Sequence, residues 1–191
     1  MKPMLLLVPA LAALLFAAPV RADTSLTAYD AARAALLAIW AELPLTVRNV
    51  TLTAGTARGY GDYTVHDGNS FTAGEKINVY VEVLGYGFKD NGDGTQSKLL
   101  DADLKLIDAS GTTVATEDKF FTSDVRSREK PLETYLAFNA TLTKFDPGYY
   151  KLQFVLHDRA GNKDATFEVP VTLTGDASSS QAPASSSSAA Q

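Results

Sequence analysis

The sequence contains no cysteine and has only two histidines and one tryptophan. Without cysteine no disulfide can cross-link the fold, so its stability must come from buried apolar surface. The same absence excludes thiol catalysis and thiolate metal sites. The two histidines, His66 and His157, do not form an H-x-x-x-H metal motif, and no serine stands in a G-x-S-x-G context. We therefore predict a non-enzymatic protein with no cofactor, no metal site and no catalytic residues.

The N-terminus, MKPMLLLVPALAALLFAAPVRA, has the features of a secretory signal peptide. Lys2 supplies the positive start, residues 4–18 supply an apolar run, and Ala22 is a small residue at the cleavage position. A retained membrane anchor needs about 20 apolar residues, whereas this run is short and is interrupted by Pro9. We expect residues 1–22 to be cleaved, leaving a periplasmic or secreted protein with no transmembrane segment.

Positive charge is in the minority. The chain has 17 lysines and arginines against 22 aspartates and glutamates. Removing Lys2 and Arg21 with the leader leaves 15 basic against 22 acidic residues, a formal charge of −7. Because nucleic-acid binding requires a basic face, nucleic acid is not an expected partner.

Two segments outside the main body have distinct compositions. Residues 23–45 are predicted to form an amphipathic helix that starts at Thr27 with Asp30 as a capping box and ends at Pro44. Its apolar positions recur every three to four residues and could cover part of the same domain or bind a partner: Leu26, Tyr29, Ala32 or Arg33, Leu36, Trp40 and Leu43. Residues 175–191, GDASSSQAPASSSSAAQ, are predicted to be a disordered tail.

From residue 46 to residue 174 apolar residues recur at every second position, instead of at every third or fourth. INVYVEV, LDADLKLI, YLAFNATLT and YKLQFVLHD each alternate apolar with polar residues, which predicts strands with one buried and one wetter face. With RNVTLTA, TTVATEDKFF and ATFEVPVTL they make about seven strands, typical of an all-β antiparallel sandwich. Pro170 cannot donate to a sheet, so the last strand should be an edge strand or bulged there.

The segment KFDPGYYKLQFVLHDRAGNKDATFEVPVTL resembles the closing hairpin of immunoglobulin-like and fibronectin-III-like domains. In such folds a tyrosine near the start of the penultimate strand forms a hydrogen bond back to the backbone. The resemblance implies that Tyr149 or Tyr150 has this role here. The patterns F-x-x-G-E, Y-V-E and G-Y-G-F also make residues 40–174 similar to a group of uncharacterised exported proteobacterial proteins. The resemblance implies an immunoglobulin-like sandwich with one N-terminal helix and an envelope location, but no activity.

The run GYGFKDNGDGTQ raises the question of a calcium loop. A calcium loop of the EF-hand type needs oxygen ligands at alternating positions and a final glutamate. Here Asp90 and Asp93 do not fit that spacing, and Asp101 occupies the twelfth position. Asn-Gly and Asp-Gly between alternating strands instead predict a hairpin loop. A calcium-stabilised, adhesin-like domain is kept as an alternative.

Asp101 and Asp103 form a possible catalytic pair. Alternate residues of a strand point to one face about 7 Å apart, a separation of the kind that glycosidases use. Lys105 continues the same face, so a solvated polar face explains all three residues. A small envelope-glycan hydrolase acting through Asp101 and Asp103 is therefore the alternative function.

Aromatic and basic residues supply the candidate ligand site. Aromatic residues, among them Tyr60, Tyr86 and Phe88, lie in the glycine-rich segments RGYGDYTVHDGNSF and LGYGF. Their rings could be exposed and contact a ligand, or they could close one end of the sandwich. SDVRSREK places Arg126 and Arg128 on one face if it is a strand, where they could bind an anionic partner or protect an edge. The predicted function is an exported, non-enzymatic binding or assembly module whose partner is another envelope protein or a glycan.

Overall fold

The structure is a computed structural model that describes residues 25–175. The predicted signal peptide and all of the predicted tail except Gly175 lie outside the described residues. The chain divides into two compact units, residues 1–35 and residues 36–191. Of the first unit, the structure describes residues 25–35, which form the first part of helix α1 (Leu26–Glu42).

Helix α1 is capped two residues earlier than the sequence predicts. The side-chain oxygen of Ser25 accepts a hydrogen bond from the Ala28 amide at 3.2 Å, so the predicted Thr27 capping box is wrong. At the other end, Glu42 is the last helical residue and Pro44 follows, as predicted.

The C-terminal turn of α1, which belongs to the second unit, is fixed to that unit. Trp40 is 5% exposed, and its indole N–H donates to the Tyr86 carbonyl at 2.9 Å. The ammonium group of Lys163 donates to the carbonyl oxygens of Ala41, Leu43 and Gly85 at 3.1, 2.6 and 2.8 Å. A lysine at this position satisfies carbonyls that the end of a helix leaves free. Of the predicted apolar stripe in this unit, Trp40 is buried and Leu36 is 48% exposed.

All seven predicted strands are present, together with two short ones. Their bounds are β1 (Thr46–Thr53), β2 (Ser70–Thr72), β3 (Lys76–Leu84), β4 (Lys89–Asp90), β5 (Gln96–Asp108), β6 (Thr113–Ser127), β7 (Tyr135–Thr141), β8 (Gly148–Asp158) and β9 (Lys163–Thr174).

The strands form two sheets. One has the order β1-β3-β7, and the other has the order β2-β9-β8-β5-β4 with β6 also paired to β5. Every pairing is antiparallel except β2 with β9, which is parallel. The chain is therefore mostly β, as predicted, with one parallel pair that the sequence pattern does not predict.

The two sheets share one apolar core. Phe138 of β7 stacks on Phe154 of β8 with ring centroids 4.7 Å apart, which joins the sheets face to face. The alternating residues of β8, Leu152, Phe154 and Leu156, are all 0% exposed. The period of two in the sequence thus places one face of β8 in the core, whereas the long strand β6 has no buried residue.

Two local predictions are confirmed by hydrogen bonds. The Tyr150 hydroxyl donates to the Asp146 carbonyl at 2.8 Å, so Tyr150, and not the exposed Tyr149, bonds back to the backbone. Asn91 N–H bonds the Thr95 carbonyl at 3.0 Å, and Gly92 and Gly94 have positive φ. The run GYGFKDNGDGTQ therefore contains the predicted hairpin turn, between β4 and β5.

Strand β9 is a partial edge. Its pairing with β2 covers only residues 172–174, so Pro170 lies where β9 pairs with β8 alone. This agrees with the prediction for Pro170.

Strand β3 departs from its predicted pattern. Its outward-facing Asn78, Tyr80 and Glu82 are 7%, 0% and 5% exposed, so the prediction of a wetter face is wrong there. Residues of the segment that follows β1, among them Tyr60 and Tyr63, contact this face. Both faces of β3 are buried as a result.

Candidate functional site

An apolar cleft of about 410 Å³ opens between β6 and β7, and we name it the β6–β7 cleft. Core residues Leu104, Leu106 and Leu152 form its floor. Glu117 is the only charged residue in its lining, and among the described residues it has no ion-pair partner. A mostly apolar cleft of this size, with a few polar groups at its rim, is typical of binding sites.

Two strand edges border this cleft. Among the strands that the structure describes, β6 pairs only with β5, and β7 pairs only with β3. Because the Val83 amide bonds the Thr134 carbonyl, the even-numbered residues of β7 hydrogen-bond to β3. The backbone groups of Tyr135, Ala137, Asn139 and Thr141 therefore point to the free edge. In the described part of the chain no backbone partner is found for them.

The β7 edge differs from the other long edges in having no feature that blocks pairing. Strand β1 carries Arg48 and a positive φ at Asn49, and its register shifts there. Strand β6 carries a positive φ at Lys119, and β9 carries Pro170. Charges, prolines and bulges of this kind protect sheet edges against unwanted pairing. Strand β7, with the sequence YLAFNAT, has no charge, no proline and no register shift.

Tyr60, a predicted ligand residue, is 36% exposed and belongs to a hydrogen-bond network around buried Glu82. The Tyr60 hydroxyl donates to Oε2 of Glu82 at 3.0 Å, and Arg48 Nε donates to the same oxygen at 2.8 Å. Tyr80 donates to Oε1 at 3.1 Å, and its own hydroxyl oxygen accepts the Gly61 amide at 2.9 Å. The network attaches the segment after β1 to the sheet.

The charge of Glu82 is favoured by this network. Burial alone would raise the pKa of Glu82, but hydrogen bonds from Asn49, Arg48, Tyr60 and Tyr80 outweigh burial and lower it. Burial raises the pKa of Tyr80 to about 12. These groups are therefore a carboxylate and a neutral phenol, an arrangement that fixes structure.

Tyr86 and Phe88, two further predicted ligand residues, line a second cavity of about 280 Å³ beside Trp40. Tyr86 is 1% exposed, and its ring contacts Trp40 and Phe88 at centroid distances of 5.2 and 5.3 Å. Its hydroxyl lies 2.8 Å from the hydroxyl of Thr134, which also accepts Lys98 Nζ at 3.0 Å. Burial lowers the pKa of Lys98. Tyr86 is thus a buried core residue that packs against Trp40 and Phe88, and its ligand role stays a prediction.

Arg126 and Arg128 are not neighbours on one strand face. Strand β6 ends at Ser127, so Arg128 lies outside the strand and the condition for a shared face with Arg126 is not met. Arg126 forms an ion pair with Asp93 and donates to the Thr95 hydroxyl at 2.8 Å. It therefore stabilises the hairpin turn between β4 and β5, and the structure does not bring it together with Arg128.

Asp101 and Asp103 lie on one face of β5, as predicted, but they have different partners. Asp101 is 8% exposed and pairs with Arg159 at 2.7 Å. Asp103 accepts the Lys119 amide at 2.7 Å and contacts His157 Nε2 at 3.1 Å. The Lys119 amide is the main cause that lowers the pKa of Asp103, and His157 adds to it. Asp103 is therefore a hydrogen-bond acceptor in this structure, and the hydrolase alternative stays a prediction.

His157 lies between two carboxylates, which predicts a pH-dependent contribution to stability. Its Nδ1 is 2.7 Å from Asp164, and hydrogen bonds to Asp164 and then Asp103 raise its pKa. The raised pKa means that this contribution is complete below about pH 6.5 and is lost as pH rises through the folded-state pKa. Because the imidazole is about one-third exposed, we expect no more than about 1 kcal/mol.

Urea unfolding of the wild type and of His157→Gln at pH 5.5 and pH 8.5 measures this contribution. The difference in free energy of unfolding between the wild type and His157→Gln should be larger at pH 5.5 than at pH 8.5, with the wild type the more stable. His66→Gln is the matched control, because His66 has no carboxylate partner among the described residues. A difference that is equal at the two pH values would contradict the charged bridge.

Two kinds of feature are absent from residues 25–175. No helix in this range is long and apolar enough to cross a membrane. Within the same range, no three histidine, aspartate or glutamate side chains are gathered where they could hold a metal ion.

Comparison with known proteins gives limited similarity. No family model and no curated protein matches the sequence. Among solved structures, an alkylpurine DNA glycosylase from Pseudomonas fluorescens has a TM-score of 0.38 at 10% identity, and a family 123 glycoside hydrolase from Clostridium perfringens has 0.39 at 9%. The matches cover 68% of this chain and 30% and 28% of those chains. The chain therefore spans less than a third of these two proteins.

A smaller domain is matched over most of its length. The CARDB domain of a Pyrococcus furiosus protein, solved in complex with di-metal ions, has a TM-score of 0.32 at 16% identity. That match covers 68% of this chain and 93% of the domain. Spo0M, a sporulation control protein from Bacillus subtilis, has a TM-score of 0.38 at 14% identity, with 69% of this chain and 49% of that chain covered.

Proposed function

We propose that the chain is an immunoglobulin-like, non-enzymatic assembly module exported to the bacterial envelope, and that it binds its partner along the β7 edge. The export signal of residues 1–22 and the resemblance of residues 40–174 to exported proteobacterial proteins support the location. A module of this kind holds other molecules in place through a stable scaffold and performs no chemistry of its own.

The observation that carries the proposal is the unprotected edge of β7 beside the β6–β7 cleft. An extended segment could continue the sheet through the edge-facing backbone groups of Tyr135, Ala137, Asn139 and Thr141. Alternate side chains of that segment could enter the cleft, where Leu104, Leu106 and Leu152 form an apolar floor. Backbone pairing supplies affinity in this mode, and the cleft supplies selectivity.

A photo-crosslinking experiment tests this surface in the intact envelope. The photoreactive residue benzoylphenylalanine replaces Thr141, which is exposed and lines the cleft, or Thr116 on the opposite wall. We expect ultraviolet-dependent adducts from both positions. The control places the same residue at Asp67, an exposed position outside the cleft lining. Absence of adducts from Thr141 and Thr116, or the same adducts from Asp67, would refute the proposed surface.

A further inference from the structure

The segment around β7 is flanked by one acid and one base of opposite charge. Glu133 and Lys144 are both exposed, and the ten residues between them, TYLAFNATLT, are uncharged. Neither has an ion-pair partner in the described part of the chain. When two identical strands pair antiparallel, the start of each lies beside the end of the other. When Phe138 lies on the twofold axis of such a pair, Glu133 of one copy comes opposite Thr143 of the other, next to Lys144, at both ends.

The backbone pattern of β7 also fits pairing with itself. With Phe138 on the twofold axis, Tyr135 lies opposite Thr141 of the other copy and Ala137 lies opposite Asn139. These four residues are the ones whose backbone groups face the free edge, so in this register every such group finds a partner. A shift by two residues would leave edge groups of Tyr135 or Thr141 unpaired, which favours the central register.

We propose that the partner at the β7 edge is a second copy of this chain, which forms a twofold dimer through antiparallel β7–β7 pairing. The inference rests on the proposed assembly function and names its partner. The two three-stranded sheets join into one continuous sheet, and the added strand runs along the mouth of the β6–β7 cleft. Covering the cleft removes its apolar lining from water, which favours association.

The chain's own tail is a poorer occupant. Residues 175–191 consist mainly of serine and alanine and contain no side chain large enough to fill an apolar cleft of about 410 Å³. The tail has no lysine or arginine to pair with Glu133. A second β7 segment supplies both the edge groups and the complementary charges.

Charge reversal at Glu133 and Lys144 tests self-pairing directly. Sedimentation velocity of the exported chain, from micromolar to millimolar concentration, should show a monomer–dimer equilibrium. Glu133→Lys places two lysines together at each end of the pair, and Lys144→Glu places two glutamates there. Each variant alone should raise the dimer dissociation constant at least about tenfold. An equimolar mixture of the two variants should recover the wild-type affinity, because both contacts are again of opposite charge.

Asp67→Lys is the control for a general effect of charge, since Asp67 is exposed and lies outside this segment. A chain that is monomeric at every concentration would overturn the inference. So would a dimer whose dissociation constant is unchanged by both reversals, or a mixture that does not recover. If a monomeric chain still cross-links from Thr141 to another protein, the proposed function stands and only self-pairing fails. A monomer without any such cross-link would sink both proposals.

Discussion

Replacing Gly87 with alanine should lower the free energy of unfolding by about 3 kcal/mol or more and the melting temperature by roughly 6–12 °C. A Cβ atom at Gly87 would lie 2.5 Å from the Gly161 amide nitrogen and 2.6 Å from its Cα. Both are backbone atoms, so neither can move aside by a side-chain rotation. The buried carboxylate of Asp158 holds them in place, because it accepts the amides of Gly87 and Gly161 at 2.7 and 3.0 Å.

Gly55→Ala is the matched control for this substitution. No atom lies within 4 Å of a Cβ built at Gly55, and its φ is not positive. Thermal unfolding followed by circular dichroism should therefore leave Gly55→Ala close to the wild type and Gly87→Ala well below it. Equal melting temperatures for the two variants would show that the close approach of Gly87 and Gly161 does not constrain the fold.

The long strands are predictable because the pattern that indicates them is local. An apolar period of two is visible in the sequences of β7 and β8, each of which has one face in the core. The short strands β2 and β4 escape prediction because they have three and two residues, too few to show a period. The buried outer face of β3 escapes it for a different reason. Its cover comes from the segment after β1, a contact between distant parts of the chain.

The candidate site cannot be predicted in the same way. The sequence shows that YLAFNAT is a strand but not that it lies at an edge, since an edge depends on strand order. The G-Y-G-F pattern is compatible with a ligand loop and with rings that close one end of the sandwich, because both combine glycines with aromatic rings. In the structure, Gly85 approaches the Pro44 carbonyl and Gly87 approaches Gly161, so close packing accounts for both glycines.

Replacing Glu82 with glutamine should lower the free energy of unfolding at pH 7 by about 2–3 kcal/mol, the value of hydrogen bonds to a charged group. The substitution keeps the shape of the side chain but replaces one acceptor oxygen with an N–H donor. At the Oε2 position that donor would face Arg48 and the Tyr60 hydroxyl, and at the Oε1 position it would face the Tyr80 hydroxyl; all three groups donate to Glu82 in the wild type. The segment after β1 should then open more often, measured as faster hydrogen exchange at the Gly61 amide, which bonds Tyr80.

The pH dependence distinguishes loss of the carboxylate from a general packing defect. Because the folded-state pKa of Glu82 is lowered, its contribution is present above the unfolded value of about 4.3 and is lost as pH falls through the folded-state pKa. Urea unfolding should therefore show a larger difference between wild type and Glu82→Gln at pH 7 than at pH 3. Glu168→Gln serves as control, since Glu168 is exposed in its pair with Lys151 and should change stability little. A Glu82→Gln difference that is the same at both pH values would mean that the carboxylate charge does not hold this segment, and that packing of Tyr60 and Tyr80 does.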